Sequence, residues 1–317
     1  MTDLAVAIVG AGVMGTNHAR VLSELPGART VAIVDRDEGR GRAAARDTGC
    51  RYAPTMGEID GQVDAAIVAT PTETHVDVAL EALGRGWHVL VEKPLAPTAR
   101  EADELVLAAM AAGRLLAVGH VERFNPACLD LPRFLSEPLF IQTRRLSPYT
   151  DRIRDGVVRD MMIHDVDLVL SIAGVEPVDV TADVSRSRSR SEDLATATLV
   201  FPSGLIAQLT ATRIGQDKVR QIDILQSDSL VNVDLLRQDI TVRYQATAEY
   251  PRSGARRLKE ASITEIPYLE HRGEPLWLEL QDFVSAIEGG RTPLVDGCAG
   301  VRALTLCERI LDAARRD

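Results

Sequence analysis

Gly10-Ala11-Gly12-Val13-Met14-Gly15 follows the apolar run Ala5-Val6-Ala7-Ile8-Val9 and opens a helical stretch, and this junction decides the fold. The run does not alternate polar and apolar residues, as expected of a strand covered on both faces. The three glycines of GxGxxG permit a tight turn, close approach of the backbone to a pyrophosphate, and close helix–strand packing. Phosphates would then meet the free N–H groups and the positive dipole end of the helix. Alone the motif is weak, because glycine turns are common. Its context strengthens it: Asp35 closes the second strand about 20 residues beyond Gly15, where a carboxylate accepts hydrogen bonds from the adenosine ribose hydroxyls. The bland alternative is a plain strand–helix turn followed by an ordinary strand-end Asp. Gly10, Gly12, Val13, Met14, Gly15 and Asp35 are thus the expected cofactor residues. Asp35 favours NAD over NADP by repelling a 2′-phosphate, although Arg36 beside it could bind that phosphate.

Working outward, further strands are expected at Thr30–Asp35, Ala65–Ala69, His88–Glu92 and Leu115–Gly119. Amphipathic stretches Thr16–Leu25, Glu73–Leu83 and Ala99–Ala112 lie between them, the last with a capping-box start at Thr98 and Glu101. Repeated strand–helix units imply a doubly wound parallel sheet, a Rossmann domain over residues 1–121. The pattern then changes. One helix is expected over 158–173, ending at Gly174, followed by period-2 strands at Asp179–Ser185, Leu194–Phe201, Leu205–Arg213, Arg220–Gln226 and, with breaks, Ser229–Tyr244. Residues 246–262 read as a polar, basic, mobile loop, and two helices, Pro275–Ile287 and Cys298–Ala314, close the chain. The class is therefore α/β: the Rossmann domain plus a second α/β domain, residues 122–317, with a large, mostly antiparallel open sheet.

With 317 residues, about two ordinary domains fit. Hydrophobic residues at 45% allow a large core, while 4% aromatics argue against a base-stacking surface. A net charge of −10 repels both a phosphate backbone and an anionic membrane. No nucleic-acid or membrane partner is expected; a small-molecule substrate is. The Ser-Arg repeat Ser185–Ser191 suggests an RNA-binding tail, but it is short and sits between strands, so an exposed edge or loop is the better reading. Cys50, Cys128, Cys298 and Cys307 form no CxxC pair, which supports neither zinc nor a disulfide framework and suits a reducing cytoplasm. No basic leader and no apolar run approaching a membrane span of roughly 20 residues is present.

Removing hydride from a secondary alcohol requires a base for the hydroxyl proton. Glu92-Lys93-Pro94 ends a buried strand, where ligands bind in open α/β sheets, and a desolvated Lys readily lowers its pKa. A solvated Lys at a strand–loop junction is the alternative. Asp160 and His164 lie one helical turn apart and so share a face; a carboxylate beside an imidazole sets its tautomer. Yet Asp160, His164, Asp167 and Ser171 also make the polar stripe of a solvent-facing helix. A metal at His164-Asp165-Val166-Asp167 is not expected, because neighbouring ligands point apart. His75 follows Ala69-Thr70-Pro71-Thr72 near a strand end; His120 falls at the domain crossover; His18 and His88 read as packing or surface groups.

Three segments together, Gly10–Gly15 with Asp35, Glu92-Lys93-Pro94-Leu95, and Asp160-Met161-Met162-Ile163-His164-Asp165, resemble the glucose–fructose oxidoreductase / inositol dehydrogenase (Gfo/Idh/MocA) family over nearly the whole chain. The resemblance implies that Lys93 orients and polarises the reacting hydroxyl. It makes His164 the general acid/base, with Asp160 binding substrate or supporting proton transfer. It places Thr70, Pro71, His75 and Glu92 with the cofactor and gives the open sheet face to a homodimer or homotetramer. Gly119-His120-Val121-Glu122-Arg123-Phe124-Asn125-Pro126 and Pro275–Leu280 look most like members oxidising the 3-hydroxyl of UDP-N-acetylglucosamine and related nucleotide sugars, so that Arg123 and Asn125 would contact substrate. His120 stands where the family often has an aromatic. The alternatives are an inositol or free-sugar dehydrogenase, a ketosugar reductase, or a non-catalytic NAD-binding redox sensor.

Overall fold

The computed structural model describes residues 3–59, 61–149, 155–252 and 255–315. Strands β1 (Leu4–Val9), β2 (Ala28–Val34), β3 (Arg51–Ala53), β4 (Ala65–Val68), β5 (His88–Glu92) and β6 (Leu116–Gly119) form a parallel sheet in the order β3-β2-β1-β4-β5-β6. The order reverses between β1 and β4, which makes the ends of these two strands the switch point where ligands bind. Successive residues point to opposite faces. Ala7, Val9, Val68 and Val91 enter one core cluster, and Val6, Ile8, Ile67 and Leu90 the other, which explains the unbroken apolar runs. Helices α1 (Val13–Glu24), α2 (Glu38–Thr48), α3 (His75–Gly84) and α4 (Ala99–Ala112) connect the strands. The expected cap at Thr98 forms in a variant of the capping box: the Thr98 hydroxyl accepts from the Glu101 amide and donates to the Glu101 carboxylate.

The second sheet has eight strands in the order β14-β13-β12-β11-β7-β10-β9-β8. They are β7 (Phe140–Leu146), β8 (Asp179–Ser185), β9 (Leu194–Val200), β10 (Ile206–Thr212), β11 (Val219–Leu225), β12 (Ser229–Asp234), β13 (Asp239–Arg252) and β14 (Ala255–Glu265). Every neighbouring pair is antiparallel except β7 with β10. The short helix α5 (Pro126–Asp130) and helix α6 (Ile163–Ala173) pack on this sheet. Three expectations need correcting. Residues 158–173 are not one α-helix: Val158–Met162 is a π turn and α6 starts at Ile163, ending at Gly174 as expected. Residues 246–252 and 255–262 are not loop but strand, in β13 and β14, which pair antiparallel; β14 is the sheet's edge, where charged residues are normal, and the charge of this sequence read as loop. Strand β7 went unread because its inward positions, Ile141, Thr143 and Arg145, break the apolar period.

Helices α7 (Pro275–Gly289) and α8 (Gly297–Ala313) end the chain. The compact units are 1–124 with 273–308, and 125–272 with 309–317. The division after residue 121 gave both closing helices to the second half, but α7 and most of α8 belong to the first unit. Leu276, Leu280 and Phe283 of α7 bury against one face of the parallel sheet, and Leu304 of α8 against the other. Among the described residues no helix is long and apolar enough to cross a membrane.

Candidate active site

At the first strand–helix junction, Gly10 has φ +100°, and a Cβ there would lie 2.5 Å from the Ala69 carbonyl. A Cβ on Gly15 would lie 1.7 Å from the Gly10 carbonyl oxygen, so the turn closes only with glycine at both positions. Gly12, by contrast, opens on empty space and caps α1 without a side-chain bond, with no acidic residue in the first turn. Val13 is exposed and Met14 half-buried. The first-turn amides and helix dipole are therefore left for an anion, and the loop fits a dinucleotide pyrophosphate.

Asp35 is buried, and its carboxylate accepts from the Ala11 amide at 2.7 Å, the Asp37 amide at 2.8 Å and the Arg40 guanidinium at 2.8 and 3.1 Å. Burial alone would raise its pKa, but Arg40 and the two amides outweigh that and hold it below the ordinary range. Sequence reasoning singled out Arg36, which is exposed; Arg40, one helical turn into α2, is the arginine that meets Asp35.

At the end of β5, Glu92 folds over β6 rather than outward. Its carboxylate would stand 3.0 Å from a Cβ on Gly119, so a larger residue there would have to push it aside. His18 of α1, fully buried, meets Glu92 at 2.8 Å, and the Lys93 amide donates back to the same carboxylate at 3.2 Å. Burial pushes Glu92 up, but His18 and then Lys93 outweigh this and its pKa falls. His18 was read as a packing or surface group; its helix position gave no sign of a partner 74 residues away. Lys93 itself is half-buried. Glu279 of α7 is also missed by sequence reasoning. It is 2% exposed, neither carboxyl oxygen has a hydrogen-bond partner among the described residues, and burial with the charges of Glu92 and Asp282 raises its pKa well above normal.

His75 is buried, with Nδ1 2.8 Å from the Pro94 carbonyl and Nε2 2.9 Å from the Thr70 carbonyl. Burial lowers its pKa. A neutral imidazole carries one N–H and donates to only one of these two carbonyls; the buried ring lies between the turn after β4 and the turn after β5 and leaves little surface for the cofactor contact expected of it. Thr70 is half-buried and Pro71 exposed beside it.

In the second unit, Asp160 sits on the π turn and His164 on the first turn of α6, both half-buried. π turns inserted in helices are frequent at functional sites. The solvent-stripe reading fails beyond them, because Asp167 is buried. Asp165, next to His164, takes a forked bond from Arg145 of β7 at 2.7 to 3.0 Å with both side chains buried, which locks α6 to the sheet. Asn125 is corrected: it is buried, its amide donates to the Leu235 carbonyl at 2.9 Å and its carbonyl caps α5 at the Ala127 amide, so its role is structural. Arg123 is half-buried at the end of the first unit.

Residues 4–120 match the family model described as an oxidoreductase family with an NAD-binding Rossmann fold, and residues 137–228 match the GFO/IDH/MocA C-terminal domain. The chain is 32% identical over 309 residues to UDP-N-acetylglucosamine 3-dehydrogenase of Acidithiobacillus ferrooxidans, covering 96% of this chain and 95% of that one. A solved structure of that dehydrogenase superposes with TM-score 0.89 at 29% identity, covering 100% and 99% of the two chains. The scyllo-inositol 2-dehydrogenase (NAD(+)) of Bacillus subtilis is 27% identical over 313 residues, covering 91% and 87%.

Proposed function

The chain belongs to the Gfo/Idh/MocA family of NAD-dependent oxidoreductases, and on that premise we propose that it oxidises the 3-hydroxyl of a nucleotide sugar such as UDP-N-acetylglucosamine. The observation that carries this reading is the near end-to-end similarity to the Acidithiobacillus ferrooxidans enzyme, in sequence and in fold. Gly10, Gly12, Val13, Met14 and Gly15 hold the pyrophosphate of NAD, and Asp35 takes the adenosine ribose once Arg40, whose side chain is 54% exposed, swings aside. Thr70, Pro71 and Glu92 complete the cofactor site. Bound NAD supplies the hydride acceptor. Lys93 hydrogen-bonds the reacting hydroxyl and favours its alkoxide character. His164 takes the hydroxyl proton, and Asp160 orients the substrate or the imidazole. Arg123 is the remaining substrate-contact candidate from the crossover segment.

The second reading, an inositol or free-sugar dehydrogenase, has the similarity to the Bacillus subtilis scyllo-inositol enzyme in its favour. NADH formation across UDP-N-acetylglucosamine, UDP-glucose, myo-inositol and glucose separates the two. Turnover confined to an unphosphorylated polyol or sugar sinks the nucleotide-sugar assignment. Replacing Lys93→Met or His164→Asn is expected to lower kcat by about 10²–10⁴-fold while NADH binding, read by fluorescence, is unchanged. A wild-type protein that binds NADH and turns over nothing would be a sensor instead. We assign the open face of the eight-stranded sheet, where Ile206 and Leu225 are 39% and 45% exposed, to contact with a second copy of the chain; a monomer by light scattering refutes this.

A further inference from the structure

Ser185–Ser191, the Ser-Arg repeat, joins β8 to β9, and the activity proposed above gives it no part. It is not a loose tail. The carboxylate of Asp193, fully buried, accepts the amides of Ser187, Arg188 and Ser189 at 2.7 to 3.1 Å and the Ser189 hydroxyl at 2.9 Å. Buried Arg213 bonds the same carboxylate at 2.9 Å and reaches the Ser189 and Ser191 hydroxyls at 2.6 and 3.0 Å. The loop backbone is thus drawn inward onto one ion pair, while Arg186, Arg188 and Arg190 stay exposed.

These three arginines have no ion-pair partner among the described residues. Elsewhere in this acidic chain, exposed arginines such as Arg20, Arg42, Arg85, Arg100 and Arg291 each meet a carboxylate. Arg188 instead lies 5.4 Å from the centre of the Tyr149 ring, a contact that steadies the guanidinium without neutralising it. The loop is also joined to the turn that carries Asp160. Arg213 donates to the Asp155 carbonyl at 3.0 Å, and the Val157 amide donates to the Glu192 carbonyl at 3.1 Å. A Cβ on Gly156 would fall 1.7 Å from the Glu192 carboxylate, so any larger residue there would displace that side chain from the seam. The Asp160 amide then bonds the Gly156 carbonyl.

We propose that Arg186, Arg188 and Arg190 form the recognition element for the diphosphate of the substrate. This inference rests on the nucleotide-sugar reading and adds the residues that read the anion. Guanidinium forks suit phosphate oxygens, and a loop already ordered loses little entropy on binding. Neutralising a diphosphate also explains how a chain of net charge −10 accepts so negative a substrate.

The test is calorimetric titration with UDP, and steady-state kinetics with UDP-N-acetylglucosamine, on wild type and on the Arg186→Ser/Arg188→Ser/Arg190→Ser variant, with Asp193 and Arg213 left intact. The expected result is UDP affinity weakened by about thirtyfold or more, and a similar rise in KM for the nucleotide sugar. The KM for NAD should stay constant, which separates this anion site from the cofactor's pyrophosphate. The wild-type KM should rise with salt and the variant's should not. Turnover with unchanged KM and UDP affinity in the variant overturns the proposal and leaves the substrate reading standing. Loop-dependent UDP binding without turnover of UDP-sugars does the reverse. Absence of UDP binding by the wild type overturns the proposal outright.

Discussion

Behind each of two proposed reacting groups lies a buried pair of ionisable side chains, and the two pairs are built from opposite chemistry. Behind Lys93, in the first unit, His18 meets Glu92, with the unpartnered Glu279 close enough to be felt through its charge. Behind His164, in the second, Arg145 meets Asp165 in a fork. Imidazole and carboxylic acid both gain or lose protons within reach of working pH; guanidinium does not. The first unit therefore backs its site with charge that can be redistributed, and the second with a fixed clamp. The clamp fits its position on a helix, where a small rotation would misdirect His164. The titratable pair fits the end of a strand, where the backbone already fixes direction and the charge around Lys93 is what remains to be set.

The largest effect expected from this difference is on the clamp. Asp165→Asn leaves Arg145 charged, buried and unable to shed its proton, so chemical denaturation should show a loss of about 3–5 kcal/mol. The loss should be the same at pH 5 and pH 8. A strongly pH-dependent loss would show that the clamp is not the fixed-charge element described.

The titratable pair should respond less and differently. His18→Leu strands Glu92, but Glu92 can take up a proton, at about 1.4 kcal/mol for each pH unit above the ordinary Glu value near 4.3. The protonation cost alone should thus fall from roughly 3–4 kcal/mol at pH 7 to about 1 kcal/mol at pH 5, so the destabilisation should be clearly smaller at the lower pH. In the wild type the sign agrees. Glu92 has a depressed pKa when folded, so its stabilisation is present above the unfolded value and is lost as pH falls through the folded one. A flat pH dependence in His18→Leu would erase the contrast between the two pairs.

The fold was legible wherever local pattern determined it. Gly10–Gly15 and the unbroken runs of β1, β4 and β5 announce a parallel sheet, because both faces are covered. The helical pattern around Asp160 and His164 was legible, but not that the turn carrying Asp160 is π-type, which alters the spacing on which a shared face was argued. What failed depended on partners distant in sequence. Arg145 hid β7 because its inward placement makes sense only once Asp165 is seen across the core. His18 and Glu92 are brought together by the βαβ crossovers and by nothing in their own neighbourhoods. Asn125 invited a substrate role because it is polar and sits in a suggestive segment, whereas it is buried and caps a helix. The loop of Ser185–Ser191 has the composition of a flexible tail and is ordered by two residues outside the repeat.

The smallest expected effect concerns Glu279 and sharpens the comparison most. Its folded pKa is raised, chiefly by burial and then by the charges of Glu92 and Asp282. For an acid the consequence is a penalty: the folded state holds a proton that the unfolded chain would release. That penalty is absent below the ordinary Glu pKa and grows as pH rises towards the folded one. Glu279→Gln keeps the shape and neutrality and removes the titration. The variant's Tm should therefore match wild type near pH 4 and exceed it by a margin that widens as pH rises to 8. If instead Glu279→Gln melts lower than wild type at every pH, Glu279 is ionised and paired in the fold. The charge behind Lys93 would then be as fixed as that behind His164, and the asymmetry between the two units would disappear.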